Sequence, residues 1–170
     1  PWNYPLLRIT EKLAPALVAG NTCVIKPPSI DSLSALKLAE ILEKLDIPQG
    51  VVNVITGPGG TVGEVLASHP DINMIGFTGS CEVGKRIMEL AGRTIKHVQL
   101  ELGGKNPVIV LEDANVDLAV SGGVSGQTWN CGQVCASPGR FYIQEKVYDE
   151  FVEKFVAGMK KVVVGDPIDE

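Results

Sequence analysis

The sequence lacks several features that would narrow its function at once. It has four cysteines in 170 residues and no C-x-x-C pair, which is too few for a disulfide scaffold. It has no apolar run near the roughly 18 residues that a membrane-spanning helix needs. Fifteen basic against twenty acidic residues give a net charge of −5 at pH 7, the opposite of a nucleic-acid-binding or polybasic surface. We therefore expect a soluble, cytoplasmic protein.

The chain does contain enough apolar residues for a packed core. Apolar residues make up 45% of it and charged residues 21%, a composition that argues against disorder. Nineteen glycines and eleven prolines predict many tight turns. The chain starts at Pro1 without a Met and stops just after a turn at 165–167. We interpret it as an internal segment of a longer protein.

Short apolar runs alternate with stretches of helical period. Strands are predicted over 22–25, 51–55, 73–77, 97–100, 107–111 and 141–144, and helices over 6–19, 33–45, 62–66, 83–90 and 147–155. Strands separated by helices imply parallel crossovers, so the predicted fold is α/β with a doubly wound parallel sheet. The alternation pauses at the pair Gly103-Gly104. This divides the chain into a domain over 1–101 and the start of a second α/β domain over 102–170.

Two turns between a strand and a helix could bind a phosphate-bearing ligand. The first, over 57–63, is rich in glycine but is not a G-x-G-x-x-G motif, so a plain turn is an equal alternative. In the second, over 77–84, Ser80 is expected to cap the helix and Glu82 to lie at its positive end. Ligands collect at the carboxyl ends of strands in doubly wound sheets, which favours a nucleotide.

Cysteine and glutamate supply the candidate reactive groups. Cys81 in the first turn of a helix is the thiol that the helix dipole would activate, whereas Cys23 reads as a packed residue of a strand. Cys131 and Cys135 have the spacing of zinc ligands but no matching histidines, so no metal site is expected. Glu101, at the end of an apolar strand, is either turned to solvent or held as a base.

Five motifs together make the chain resemble the NAD(P)-dependent aldehyde dehydrogenases over essentially all 170 residues. They are Pro1-Trp2-Asn3, Lys26-Pro27, Phe77-Thr78-Gly79-Ser80, Glu101-Leu102-Gly103-Gly104-Lys105-Asn106-Pro107 and Gly132-Gln133-Val134-Cys135. The family's chains are considerably longer, so the resemblance implies the central segment: most of a variant Rossmann cofactor domain and the start of the catalytic domain.

The resemblance implies a role for each matching reactive residue. Cys135, rather than Cys81, would be the nucleophile that forms a thiohemiacetal and then a thioester. The side chain of Asn3 and the backbone N–H of Cys135 would form the oxyanion hole, and Glu101 would activate the hydrolytic water. Because this segment lacks other parts of the family's machinery, we expect it to be inactive by itself.

The resemblance also implies an NAD or NADP site. Lys26 would bind the adenosine ribose, Gly79 and Ser80 the pyrophosphate. The cofactor-binding residues that it implies are Trp2, Lys26, Ser29, Gly59, Gly63, Phe77, Thr78, Gly79, Ser80, Val83, Gly84 and Leu102. Ser29 stands where many NAD-preferring members carry a glutamate that would repel a 2′-phosphate. We therefore expect NADP to be accepted, although Asp31 nearby could restore some of that repulsion.

The expected activity is oxidation of a small-molecule aldehyde to a carboxylic acid by a homo-oligomer of the full-length parent, with no nucleic-acid or membrane partner. The alternatives are a coenzyme A-acylating relative and a catalytically silent nucleotide-binding protein of the same fold. The presence of Glu101 argues against the first, since acyl transfer to coenzyme A needs no hydrolytic base. Joint retention of Asn3, Glu101 and Cys135 argues against the second.

Overall fold

The computed structural model describes residues 1–166 and 168, and its fold is α/β with parallel strands. The helices are α1 (Pro5–Val18), α2 (Leu33–Leu42), α3 (Glu64–Ser68), α4 (Cys81–Gly92), α5 (Val116–Thr128) and α6 (Glu145–Met159). The strands are β1 (Cys23–Ile25), β2 (Val52–Val54), β3 (Met74–Gly79), β4 (His97–Leu102), β5 (Asn106–Val110) and β6 (Pro138–Ile143). All six predicted strands are confirmed, whereas α5 was not predicted.

The strands pair as three consecutive β-α-β units within the described residues. β1 pairs with β2, β3 with β4 and β5 with β6, each pair in parallel and each joined by an intervening helix. The register is unbroken from Met74↔His97 to Gly79↔Leu102, whereas β5 and β6 shift register between Asn106 and Pro107. Parallel pairing places the carboxyl ends of both strands of a pair at one edge.

Two short helical segments lie outside these α-helices. A π-helix covers Gly59–Gly63, so the helical path predicted from residue 62 begins three residues earlier and with wider turns. A 3₁₀ segment covers Trp129–Gly132 at the end of α5. Helix α1 contains Pro15, as predicted, and ends at Val18 with Gly20 in a left-handed conformation at φ 77°.

The chain divides into two compact units, Pro1–Gly103 and Gly104–Glu170, the second described as far as residues 166 and 168. Each has its own apolar core. The core of the first includes Ala67, Ile87 and Leu90; that of the second includes Val110, Val116, Val120, Val147 and Phe151. The domain boundary predicted at 101/102 remains a prediction.

None of the helices in the described part of the chain is long and apolar enough to cross a membrane.

Candidate active site

The residues predicted to bind a cofactor in the first unit lie mostly where parallel strands end. Lys26 follows β1 directly, the π-helix Gly59–Gly63 follows β2, and Ser80 follows β3. Leu102 is the last residue of β4. The carboxyl ends of parallel strands are where ligands bind in α/β proteins, so the topology is compatible with the predicted site.

Ser80 caps helix α4, as predicted. The backbone N–H of Val83 donates to Ser80 Oγ at 3.3 Å, and Glu82 lies in the first turn of the helix. A Cβ on Gly79 would lie 2.4 Å from Cζ of Phe77, so any larger residue here would require the Phe77 ring to shift. A 12-residue helix that begins in a tight turn presents backbone N–H groups suited to an anion.

Gly84 makes a packing contact within its own unit. It is buried, and a Cβ there would lie 2.7 Å from Leu102 Cδ2. Glycine therefore lets α4 approach the end of β4 closely, which is a structural role for both residues. Val83 beside it is 45% exposed and lies on the open side of the same turn.

Lys26 and Ser29 meet at the carbonyl of Gly57. Lys26 Nζ donates to Pro27 O at 2.7 Å and to Gly57 O at 3.2 Å, and Ser29 Oγ donates to Gly57 O at 3.1 Å. Partial burial lowers the pKa of Lys26 from its ordinary value. In this arrangement the ammonium group is held beside the glycine-rich segment. It would have to reorient or share its protons to bind a ribose hydroxyl.

The glycines of the π-helix leave space beside this pair. A Cβ on Gly59 or Gly60 would meet no other atom within 4 Å, and one on Gly63 would meet only Lys26 Cε, at 4.0 Å. Open backbone next to a cation suits an anionic or polyhydroxyl ligand. The residues present therefore fit the dinucleotide that the resemblance implies.

Glu101 lies opposite Thr78 in the register of β3 and β4. The Glu101 side chain is exposed within the first unit, and its role as a base stays a prediction. Thr78 Oγ1 accepts a hydrogen bond from Lys12 Nζ at 2.9 Å, which ties α1 to this end of β3. Asn3 is half-buried just ahead of α1, and Trp2 beside it is 49% exposed.

Cys135 belongs to the second unit and follows a stretch of unusual backbone. Asn130, Cys131 and Gly132 have φ angles of 48°, 56° and 75°. Three consecutive left-handed residues, two of them not glycine, are costly and occur mainly where function demands them. The Cys135 thiol is half-buried, whereas Cys131 and Cys81 are exposed.

Asn106 binds the backbone of the segment that contains Cys135, and these contacts were not predicted from the sequence. Its Nδ2 donates to Cys135 O at 2.7 Å and to Ser137 O at 3.0 Å. Ser137 Oγ in turn donates to Gly126 O at 2.7 Å. The sequence motif includes Asn106. However, Asn106 and Cys135 are 29 residues apart, so no local pattern predicts their contact.

Cys23 and Cys81 both lie in the first unit. Cys23 lies in β1, and burial raises the pKa of its thiol. Cys81 is the first residue of α4, and its Sγ donates weakly to Gly103 O at 3.6 Å. Across the residues that the structure describes, no group of three or more His, Cys, Asp or Glu side chains could hold a metal ion.

Comparison with known proteins matches the chain to one family along its whole length. The model of the aldehyde dehydrogenase family matches residues 1–170. Mouse retinaldehyde dehydrogenase 3 is 52% identical over 99% of this chain, which covers 33% of that relative. The chain thus spans about a third of that protein.

Solved structures share the fold of this chain along nearly its whole length. An NADP-dependent enzyme of E. coli superposes with a TM-score of 0.94 at 47% identity, over 99% of this chain and 35% of that one. PnpE in complex with nicotinamide adenine dinucleotide superposes with a TM-score of 0.92 at 46% identity, again over 99% and 35%.

Proposed function

Because the chain belongs to the aldehyde dehydrogenase family, we propose that the protein containing it oxidises an aldehyde to a carboxylic acid with NAD or NADP. The observation that carries this proposal is the match along all 170 residues, in which Asn3, Glu101 and Cys135 are all present. The activity is proposed for the whole protein, since the chain spans about a third or less of the length of the relatives it matches.

The proposed nucleophile is the Cys135 thiolate. It attacks the aldehyde carbon, so that a carbon–sulfur bond forms and the carbonyl oxygen becomes an oxyanion. The side-chain amide of Asn3 and the backbone N–H of Cys135 would donate to that oxygen; each such donor typically contributes about 3 kcal/mol. The half-burial of Cys135 and the ties on its backbone support this role, because a fixed thiol needs no reorganisation.

Loss of a hydride from the former aldehyde carbon would convert the thiohemiacetal on Cys135 into a thioester, and a bound NAD or NADP would supply the nicotinamide ring as acceptor of that hydride. On the protein side, the capped start of α4 and Ser80 would face the pyrophosphate, and Lys26 the adenosine ribose. The open backbone of Gly59 and Gly63 supports a ligand beside Lys26.

Glu101 is the proposed base of the second step. It takes a proton from a water molecule, the resulting hydroxide attacks the thioester carbon, and the carbon–sulfur bond breaks to release the acid and the Cys135 thiolate. Exposure of the Glu101 side chain within its unit leaves it accessible to such a water. This step distinguishes hydrolysis from acyl transfer to coenzyme A.

Replacing Cys135 tests the mechanism directly. In the intact protein, Cys135→Ser is expected to abolish NAD(P)H formation at 340 nm, while Cys131→Ser, four residues away, retains most of the activity. Glu101→Gln is expected to leave an initial burst of NAD(P)H followed by slow turnover, because hydride transfer precedes hydrolysis. Full activity of Cys135→Ser would refute the assignment of Cys135 as the nucleophile. Formation of acyl-CoA as the product would refute the proposed hydrolysis of the thioester.

The resemblance further implies use of NADP, a homo-oligomer and a cytoplasmic location. Support for NADP comes from Ser29, which has no negative charge to repel a 2′-phosphate, and from the similar E. coli enzyme described as NADP-dependent. Comparison of kcat/KM for NAD and NADP, sizing by chromatography and cell fractionation would test the three proposals separately.

A further inference from the structure

We propose that Asn106 is a positioning residue that fixes the backbone at Cys135 and just after it. The inference rests on the proposed function, because the hydrogen bonds of Asn106 serve catalysis only if Cys135 is the nucleophile. It concerns contacts inside the second unit alone.

Asn106 uses both hydrogens of one amide group. One N–H reaches Cys135 O at 2.7 Å and the other reaches Ser137 O at 3.0 Å. The residue lies at the start of β5, where the register with β6 shifts between Asn106 and Pro107. Because strand pairing is irregular here, the side chain of Asn106, rather than regular inter-strand hydrogen bonds, holds the backbone that leads into β6.

Cys135 lies in an irregular stretch of backbone. Residues 133–137 lie between the 3₁₀ segment and β6, outside every helix and strand. Two local backbone hydrogen bonds run from Gln133 N–H to Asn130 O and from Ser137 N–H to Val134 O, both at 3.0 Å. On the α5 side, Ser137 Oγ donates to Gly126 O and Gln127 Nε2 donates to Pro138 O, so the segment is held between β5 and α5.

The strained approach to Cys135 makes such anchors necessary. The left-handed run at 130–132 persists only if the surroundings over-determine it. Without the amide of Asn106, the carbonyls of Cys135 and Ser137 could turn towards water, and the Cα of Cys135 would move with them. A displacement of about 1 Å at a reacting group can cost about 100-fold in rate.

Asn106→Asp is the sharpest test, because it keeps the size and shape of the side chain and replaces both donors with an acceptor. Asn53→Asp is the matched control: Asn53 Nδ2 also donates to two backbone carbonyls, Gly50 O at 2.8 Å and Cys23 O at 3.5 Å, but in the first unit. Asn106→Ala provides a neutral second variant if the aspartate fails to fold.

In the intact protein we expect both Asn106 variants to lower kcat about tenfold or more, as the loss of two hydrogen bonds would imply, with the Kd of NAD unchanged. Amide hydrogen exchange in a peptide spanning 133–137 should accelerate in both, and in the control it should not. The exchange measurement needs no turnover.

The outcomes separate the two proposals. Unchanged exchange in 133–137 in Asn106→Ala would overturn the positioning role whatever the activity. A similar loss of kcat in Asn53→Asp would also overturn it, by showing a general effect. Full activity of Cys135→Ser would instead overturn the proposed function, while accelerated exchange would still support the structural tie.

Discussion

Gly84 marks the closest approach of helix α4 to strand β4. A Cβ there would lie 2.7 Å from Leu102 Cδ2, whereas one on Gly92, on the same helix, would meet nothing within 4 Å. We expect Gly84→Ala to destabilise the protein by about 1–3 kcal/mol through overpacking. Gly92→Ala should be neutral or stabilising by up to about 1 kcal/mol, since alanine favours helix. Urea unfolding measures both, and equal effects would contradict the packing role.

Ser29 is the residue through which cofactor preference can be tested. Its hydroxyl donates to Gly57 O, close to the ammonium of Lys26, which binds the same carbonyl. Ser29→Glu would add a negative charge beside the proposed ribose site. We expect kcat/KM for NADP to fall by about 10- to 100-fold, and that for NAD to change less, because only NADP has a 2′-phosphate to be repelled. Steady-state kinetics with each cofactor provides the measurement.

Ser29→Gln is the neutral control for that substitution. It has the same length as glutamate without the charge, so a similar loss with NADP would point to steric obstruction. A strong preference of the wild-type enzyme for NAD would contradict the premise that Ser29 permits NADP to bind.

At the level of single residues, local physics identifies a helix cap but does not select the proposed nucleophile. The N-cap role of Ser80 follows from its position before an apolar helix, and the structure confirms it. The same reasoning prefers Cys81, at a helix start, as the reactive thiol. Only the family motif selects Cys135, whose partner Asn106 lies 29 residues away and is brought near by β5 pairing with β6.

Helices α3 and α4 are linked by one ion pair. Arg86 donates to both carboxylate oxygens of Glu64, at 2.9 and 3.2 Å, and this lowers the pKa of Glu64 below its ordinary 4.5. A lowered pKa in the folded state means that the pair stabilises at neutral pH and that the contribution disappears as the pH falls below about 4.5. Both side chains are nearly half exposed, so the effect should be small and weakened by salt.

Glu64→Gln is therefore expected to lower the Tm at pH 7 and low salt, and to match the wild type at low pH, where both side chains are neutral. Glu43→Gln, at the exposed C-terminal end of α2, serves as the control and should show a smaller difference. Thermal unfolding monitored by circular dichroism at several pH values makes the comparison. A difference that grows on acidification would contradict the assigned role of the pair.

Periodicity predicts five of the described α-helices and misses α5, in which glycines interrupt the apolar stripe of Val116, Val120 and Val124. Helix α5 contains Gly122, Gly123 and Gly126, which weaken any helical pattern. The structure gives two of them a purpose: a Cβ on Gly123 would lie 3.0 Å from the rings of Phe141 and Phe155, and one on Gly126 would lie 3.0 Å from Pro138. Close packing of α5 against β6 and α6 thus compensates for the low helix propensity of these glycines. This packing cannot be predicted from the sequence alone.

Strand pairing is a further property that arises only from tertiary contacts. The pattern predicts parallel strands joined by helices, and the three pairs confirm this. The register shift at Asn106 depends on side chains distant in sequence, and no local run of residues indicates it. The irregular pairing is nevertheless where the Cys135 segment is tied down.

At the scale of the whole molecule, each compact unit has its own core. Phe151 is 3% exposed and packs with Phe141 and Phe155, with ring centroids 5.9 and 5.6 Å away. Leu90 is 4% exposed in the core of the first unit. A unit that has its own core can unfold locally.

Two matched core truncations test this independence. Phe151→Ala and Leu90→Ala should each cost about 3–5 kcal/mol through the cavity that they leave. By hydrogen exchange and mass spectrometry, we expect Phe151→Ala to accelerate exchange in α5, α6 and β6 while α4 and β4 remain protected, and Leu90→Ala to do the reverse. If either substitution accelerated exchange equally in both units, the two cores would unfold as one cooperative structure. The positioning of Cys135 would then depend on the whole chain rather than on the second unit.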